Sequence, residues 1–261
     1  MLWSLDETAL DLFARRPTRG FRTGLRFVDD AASSGNASSY SSAAAGGGRG
    51  GGFQPRHVVE LSGSSATPKL LVLLHTVAAF LTKSLDDQYN RQDTADEHAA
   101  ATLGQSKERV FLFDHELEAD PHQLLQVLHE KLQTRIPDAA QRHEAARNAM
   151  DRVVLFNCND TFQCLATLNQ LHFELMDAPT TPLLLVFNCI SSFHAIDKMT
   201  AKSVGDGLAL SEQVFILLKQ LSRHHSPIIF ATKETPELTE ANGDTANLAL
   251  FEAKCVVRGE R

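Results

Sequence analysis

Short apolar runs alternate along this chain with longer segments whose apolar residues recur at helical spacing. The apolar runs are continuous rather than alternating, which is typical of strands buried on both faces of a parallel sheet. They lie at 57–61, 110–113, 153–156, 183–187, 228–231 and about 248–257. The helical pattern occupies residues 69–82, 121–133, 161–176 and 210–223. This alternation predicts an α/β fold with a mostly parallel central sheet flanked by helices.

Two stretches lack the large apolar residues that a packed core requires. Residues 31–52 are almost wholly Ala, Ser and Gly, and residues 86–108 are mostly polar and charged. We predict a flexible insert at 31–52, because this stretch cannot bury enough apolar surface to offset the entropy lost on ordering. We predict a polar insert at 86–108, which is either a second loop or a loose helix. The expected organisation is an N-terminal helix at 1–20 and one core at 21–261 that carries both inserts.

Composition narrows the classes of function. The chain has 261 residues and a formal net charge of −7, whereas a protein that binds nucleic acid through a broad surface of its own is usually basic. No apolar run reaches the roughly 18 residues of a transmembrane helix, and no secretory signal precedes the first helix. We therefore expect no membrane association. The four cysteines lack metal-ligand spacing, which favours buried free thiols in a reducing compartment.

The segment between the first apolar run and the first long helical segment carries the most specific chemistry. Gly63 and Lys69 occupy the positions of the first glycine and the lysine in the phosphate-binding pattern G-x-x-x-x-G-K-[ST]. Pro68 replaces the second glycine and removes one backbone N–H. Leu70 replaces the hydroxyl that would bind Mg²⁺. The segment is either a weak or vestigial phosphate site or an ordinary strand–loop–helix turn with a chance lysine.

Four further segments of the chain match one family of proteins in the order in which that family has them. Their sequences are TGLRFVDD at 23–30, FLFDHE at 111–116, LLVFNCISSF at 184–193 and IFATKET at 229–235. Together they resemble the ATPase core of the RecA-type recombinases. The resemblance is greatest to the small eukaryotic recombinase paralogues of the X-ray-repair cross-complementing type. It implies a RecA-like core, a nuclear location and a role in the repair of DNA double-strand breaks by homologous recombination.

The residues that match the family's catalytic positions depart from its pattern. Glu116 stands where the family has its water-activating carboxylate, although a solvated loop residue explains it equally well. Asn188 stands at the Walker B aspartate that helps to hold Mg²⁺. Leu70 and Asn188 together remove both protein groups expected to position the metal, so the resemblance implies lost catalysis. His115 and His122 flank these acids without a metal-ligand spacing, and we expect them in a solvated loop.

The N-terminus offers a surface for a partner. Leu5, Leu12 and Phe13 fall on one apolar stripe of a predicted helix, which either docks on a neighbouring subunit or packs on its own core. The loops that touch single-stranded DNA in the family match 200–207 and 234–246, which contain one lysine and no arginine. Single-strand binding needs a positive groove. The resemblance therefore implies that another recombinase paralogue, in a heterodimer or larger complex, provides an indirect association with the recombinase filament and DNA.

Two hypotheses from different functional classes follow. The first is an interaction protein, a non-catalytic recombinase paralogue that needs no cofactor. The second is an atypical DNA-dependent ATPase of the same family, with weakly bound ATP and slow turnover. Pro68, Leu70 and Asn188 favour the first hypothesis. An unrelated regulatory protein with a P-loop-like segment is a third and weaker hypothesis.

Overall fold

The computed structural model describes residues 20–35, 52–64, 67–89, 107–176, 182–200, 206–235 and 254–259. Its strands are β1 (His57–Gly63), β2 (Arg109–Asp114), β3 (Val153–Asn157), β4 (Leu183–Asn188), β5 (Ile228–Glu234) and β6 (Lys254–Gly259). Its helices are α1 (Arg26–Gly35), α2 (Lys69–Tyr89), α3 (Pro121–Gln133), α4 (Ala139–Met150), α5 (Thr161–Met176), α6 (His194–Thr200) and α7 (Asp206–His225). The predicted docking residues Leu5, Leu12 and Phe13 lie outside the described residues.

The described strands form one sheet in the order β3-β2-β4-β5-β1-β6. The five strands from β3 to β1 pair in parallel, and β6 pairs antiparallel with β1. The α/β fold with a mostly parallel sheet is confirmed, and it is compatible with a RecA-like core. The last strand begins at Lys254, later than the predicted start near residue 248.

Helices cover both faces of the sheet because the chain reverses its direction across it. From β1 to β3 successive strands approach one edge, and from β3 to β5 they return. Right-handed crossovers place the connecting helices of the two halves on opposite faces. Accordingly, α1 to α4 pack in one hydrophobic cluster, whereas α5 and α7 pack in a second. α6 lies against α7.

The central strands contribute side chains to both clusters. In β2, for example, Val110 and Leu112 belong to the first cluster, and Phe111 and Phe113 belong to the second. All four side chains are buried. A strand that is covered on both faces has no position left for a solvated side chain. This is the physical reason why the apolar runs in the sequence are continuous.

The ends of the predicted insert at 31–52 belong to the folded core, which corrects its boundaries. α1 runs into the insert, and Ala32 within it is fully buried. At the other end, Phe53 and Phe21 exchange two backbone hydrogen bonds of 2.8 and 3.1 Å. Gly52 is required beside them, because a Cβ there would lie 2.7 Å from the Phe21 carbonyl oxygen. Small residues packed this closely leave no large apolar signal in the sequence.

The predicted polar insert at 86–108 is also shorter than expected. α2 extends to Tyr89, and Glu108 is buried at the entrance to β2. The Glu108 carboxylate accepts a hydrogen bond of 3.2 Å from Nη1 of Arg152 and lies 3.8 Å from Nζ of Lys83. A buried carboxylate needs such partners. Glu108 is therefore a packed, ion-paired residue and not part of a solvated insert.

Two predictions made from the composition, on the cysteines and on transmembrane helices, can be compared with the described residues. Cys158, Cys164 and Cys189 are buried free thiols, as predicted. Within the described ranges, no helix combines the length and the apolar character needed to cross a membrane.

Replacement of residues 31–52 by a short Gly-Ser turn is expected to destabilise the protein, because it removes Ala32 and Gly52 from the core. Replacement of residues 37–50 alone is expected to change the melting temperature little, since each doubling of loop length costs only about 0.6 kcal/mol. Thermal denaturation compares the two deletions, and a chain of this size loses about 2–4 °C per kcal/mol. Equal melting temperatures would show that the ends of the insert contribute nothing.

Candidate functional site

The residues predicted to form a phosphate site converge at the carboxyl edge of the sheet. In a parallel sheet, ligands bind in a crevice at this edge, between neighbouring strands whose outgoing connections run in opposite directions. Here β1 and β5 are such neighbours, and so are β2 and β4. A pocket of about 300 Å³ lies at the edge and is lined by Lys69, Glu116 and Asn188. The other described lining residues are Thr67, Pro68, Leu70, Glu118 and Glu234.

Lys69 is the first residue of α2, but its ammonium group turns back onto the loop before the helix. Nζ donates to the carbonyl of Ser64 at 2.5 Å and lies 3.5 Å from the carbonyl oxygen of Gly63. The side chain is 8% exposed. A phosphate would have to compete with these carbonyl groups for the charge of Lys69.

Two backbone N–H groups of this loop already donate to carbonyl groups of the loop itself. The Thr67 N–H donates to the Ser64 carbonyl at 3.1 Å, and the Lys69 N–H donates to the Thr67 carbonyl at 2.7 Å. Pro68 has no N–H to offer. A phosphate-binding loop holds its ligand with N–H groups that point at it. In this conformation none of these three positions supplies one.

Gly63 has a packing role at the end of β1. A Cβ at this position would lie 3.0 Å from Oγ1 of Thr67, which is a tight contact. The Gly63 carbonyl accepts the Thr235 N–H at 3.0 Å and so joins the loop to the end of β5. The glycine therefore allows the loop to close against the strand, whether or not a phosphate binds.

The pocket carries more negative than positive charge. Three glutamates, Glu116, Glu118 and Glu234, face one basic side chain, Lys69, among the described lining residues. Glu234 was assigned by resemblance to a DNA-contact loop, and its position at this pocket was missed. It lies here because the end of β5 pairs in parallel with the end of β1, where Glu234 is the partner of Gly63. A triphosphate would meet net repulsion in this pocket unless a cation accompanied it.

Beside the pocket, Glu116, Cys189 and Glu234 each offer an atom to a divalent cation, and the three atoms lie within 4.8 Å of one another. Cys189 would bind as the thiolate, but burial raises the pKa of its thiol, and the nearby Glu116 also raises it. At neutral pH the thiol keeps its proton. Two exposed carboxylates remain, which form a weak site for a hard cation.

Asn188 is bound to a buried carboxylate. Its Nδ2 donates to Oδ1 of Asp114 at 2.9 Å, and Oδ2 of Asp114 accepts the Ala119 N–H at 2.7 Å. Asp114 and Asn188 are 1% and 2% exposed, and they are direct partners in the pairing of β2 with β4. An aspartate at 188 would place a second carboxylate against the first with no donor between them. The Asn188 amide therefore suits this position because it donates a hydrogen bond to the Asp114 carboxylate.

The chain leaves β4 through a strained backbone conformation. Cys189 has a φ of 54°, in the left-handed region that non-glycine residues rarely adopt. Its N–H donates to Oγ1 of Thr232 at 2.7 Å, and its carbonyl accepts from Nδ1 of His115 at 3.2 Å. Strain of this kind costs on the order of 1–3 kcal/mol and persists only where neighbours enforce it. These two hydrogen bonds hold the exit of β4 in place.

His115 is buried, which corrects the expectation of a solvated loop. Its ring lies 4.8 Å from the ring of Phe193, measured between centroids. Glu116 and His122, in contrast, are exposed, but His122 lies in the first turn of α3 and not in a loop. The bond from His115 to Cys189 crosses 74 positions of sequence. No local pattern reveals such a contact.

Comparison with known proteins does not assign the chain to a family. No family model matches it, and no curated protein matches it significantly. The function is therefore argued from the site itself.

The substitution Asn188→Asp is expected to destabilise the fold by about 1–3 kcal/mol at neutral pH, because Asp114 loses a donor and gains a like charge. The repulsion raises the folded-state pKa of one carboxyl of the pair. The variant should therefore recover stability relative to the parent below that pKa and lose it as the pH rises through it. Urea denaturation at acidic and neutral pH measures both effects.

The exchanged pair Asp114→Asn/Asn188→Asp is the matched control. Its new amide can donate to residue 188 and accept the Ala119 N–H, so most of the lost stability should return. If Asn188→Asp alone were as stable as the parent, the pair would not constrain this position.

Proposed function

We propose that this chain is a non-catalytic RecA-type recombinase paralogue. It supports double-strand break repair by homologous recombination in the nucleus, as one subunit of a heteromeric paralogue complex. The observation that supports the loss of catalysis is the ammonium group of Lys69, which is bonded to carbonyl groups of its own loop. A phosphate would have to displace those bonds in a pocket lined by three glutamates.

The joint position of three residues supports the resemblance to the recombinase core. The family's P-loop lysine, catalytic glutamate and Walker B residue act on one nucleotide, so their matches must share one site. Lys69, Glu116 and Asn188 come from three separate parts of the chain and line one pocket. This convergence is compatible with the recombinase core, although the ends of strands in any parallel sheet meet at one edge. The alternative, a weak and atypical ATPase, requires the ammonium of Lys69 to leave its loop.

Exposed apolar side chains support a function that depends on a partner. Phe162, Ile196 and Met199 are 66%, 57% and 87% exposed. They lie on the first turn of α5 and on α6, which are joined by a buried hydrogen bond of 2.6 Å from Oγ1 of Thr161 to Oδ2 of Asp197. Exposed apolar groups on a rigid support are typical of protein contact surfaces. Together with the N-terminal stripe, they are the candidate surfaces for a second paralogue.

Purified protein is expected to show no Mg²⁺-dependent ATP hydrolysis above that of a Lys69→Ala control. The reason is the absence of a hydroxyl at Leu70 and of a carboxylate at Asn188 to position the metal. Phosphate release measures the rate for both proteins. A clear rate that Lys69→Ala abolishes would favour the ATPase alternative.

The tagged chain is expected to capture another recombinase paralogue from cells with induced strand breaks, identified by mass spectrometry. With that partner purified, Phe13→Ala should weaken binding by about 2 kcal/mol or more, roughly thirtyfold, because aromatic anchors dominate interface energies. Met199→Ser tests the surface on α6 in the same assay.

Lys69→Ala is the control for the partner assay, and it should leave binding almost unchanged. Loss of binding in Lys69→Ala alone would mean that the nucleotide site governs assembly. Capture of no paralogue at all would contradict the proposed function.

A further inference from the structure

Three histidines from two helices lie together near the edge of the sheet opposite the pocket. His172 lies near the end of α5, and His224 and His225 end α7. The ring centroid of His172 is 5.2 Å from that of His225 and 5.4 Å from that of His224, and His224 and His225 are 6.3 Å apart. We call this group the histidine cluster.

The closest pair in the histidine cluster has the spacing of two ligands on one metal ion. Nδ1 of His172 and Nε2 of His225 are 3.1 Å apart. Two nitrogens bound to a tetrahedral Zn²⁺ stand about 3.3 Å apart, because each Zn–N distance is about 2.0–2.1 Å. In the metal-free pair, one ring donates its proton to the other. A metal ion bound to both nitrogens would lie off the line between them, so the nitrogens could nearly keep their separation but each ring would have to tilt toward the ion.

The packing of α5 against α7 fixes this pair in advance. Leu171 and Leu175 of α5 lie in the same buried cluster as Leu218 and Leu221 of α7. His172 and His225 are partly buried beside these residues. A site whose ligands are already held in place loses less entropy when it binds an ion.

His224 can supply a third nitrogen only after its side chain rotates, because the nitrogens of the three histidines do not all lie within 4.8 Å of one another. The side chain is exposed, so this rotation does not require a change in the core. The exposure also gives an ion a path from solvent. Water would complete the coordination, as it does in zinc sites with three protein ligands.

Neutral imidazole is the form of histidine that binds metals. Arg56 donates to the Arg223 carbonyl at this helix end and adds positive charge there. Affinity must therefore come from direct coordination and not from the surrounding field.

We propose that His172, His224 and His225 form a binding site for a late first-row transition-metal ion, foremost Zn²⁺, that joins the ends of α5 and α7. Imidazole nitrogen is a preferred ligand of Zn²⁺, Ni²⁺ and Cu²⁺. The site lies apart from the pocket at the carboxyl edge, and it does not depend on the proposed role in recombination. The ion would have a structural effect, because it links two helices that pack in the second hydrophobic cluster.

Calorimetric titration of the full chain, free of any polyhistidine tag, with Zn²⁺ tests the site. One ion should bind per chain. His172→Ala and His225→Ala should each weaken binding at least about tenfold, since even the loss of a group that supports a ligand costs about ten- to a hundredfold. At a hundredfold excess over Kd, Zn²⁺ should raise the melting temperature by about 5 °C or more. Co²⁺ should give the visible bands of tetrahedral nitrogen coordination.

A second histidine pair supplies the matched control. His129 and His143 join α3 to α4 with nitrogens 3.4 Å apart and nearly parallel rings, but no third histidine ring is in contact with them among the described residues. The pair therefore tests whether the nitrogen spacing alone is enough to bind the ion. His143→Ala should leave the stoichiometry and affinity unchanged. His172→Asn, which keeps a polar side chain, replaces His172→Ala if that variant unfolds. Absence of Zn²⁺ binding, or binding that His143→Ala removes and the cluster variants retain, would overturn the proposal.

Discussion

The carboxylate of Asp114 is the group on which the carboxyl edge of the sheet depends. It is buried at the end of β2, where it accepts the Asn188 amide at 2.9 Å and the Ala119 N–H at 2.7 Å. These bonds join β2 and β4 to the loop that leads into α3. A buried carboxylate without donors is costly. The residue at 188 is therefore constrained by its neighbour before any ligand is considered.

The strands could be predicted because the central sheet is covered on both faces, which leaves a strong apolar signal. The predicted helices with large apolar residues were found for a similar reason. α4 was missed because its buried residues are alanines, Ala145, Ala146 and Ala149. Ala32 in α1 was missed in the same way and was assigned to a flexible insert. Small side chains can be fully buried without a periodic pattern of large apolar residues to reveal them.

Three residues of the candidate site could be predicted, but Glu234 and the chemistry of the site could not. Lys69, Glu116 and Asn188 follow or end parallel strands, and the carboxyl ends of such strands meet at one edge of a sheet. Their hydrogen-bond partners depend on register and on loop conformation. The contact of Asn188 with Asp114 follows from the pairing of β2 with β4. The contact of Lys69 with Ser64 follows from how one loop closes.

The features of the pocket that disfavour a nucleotide are coupled, so no single substitution removes them. An aspartate at 188 could supply a metal ligand only if the charge of Asp114 were also changed. A hydroxyl at Leu70 would leave the ammonium of Lys69 bonded to its own loop. Glu116 and Glu234 would still repel a phosphate, since charges that line one pocket act on any ligand within it. Lys69 is bonded to its own loop and Asn188 to Asp114, so neither side chain needs a nucleotide to satisfy its hydrogen bonds.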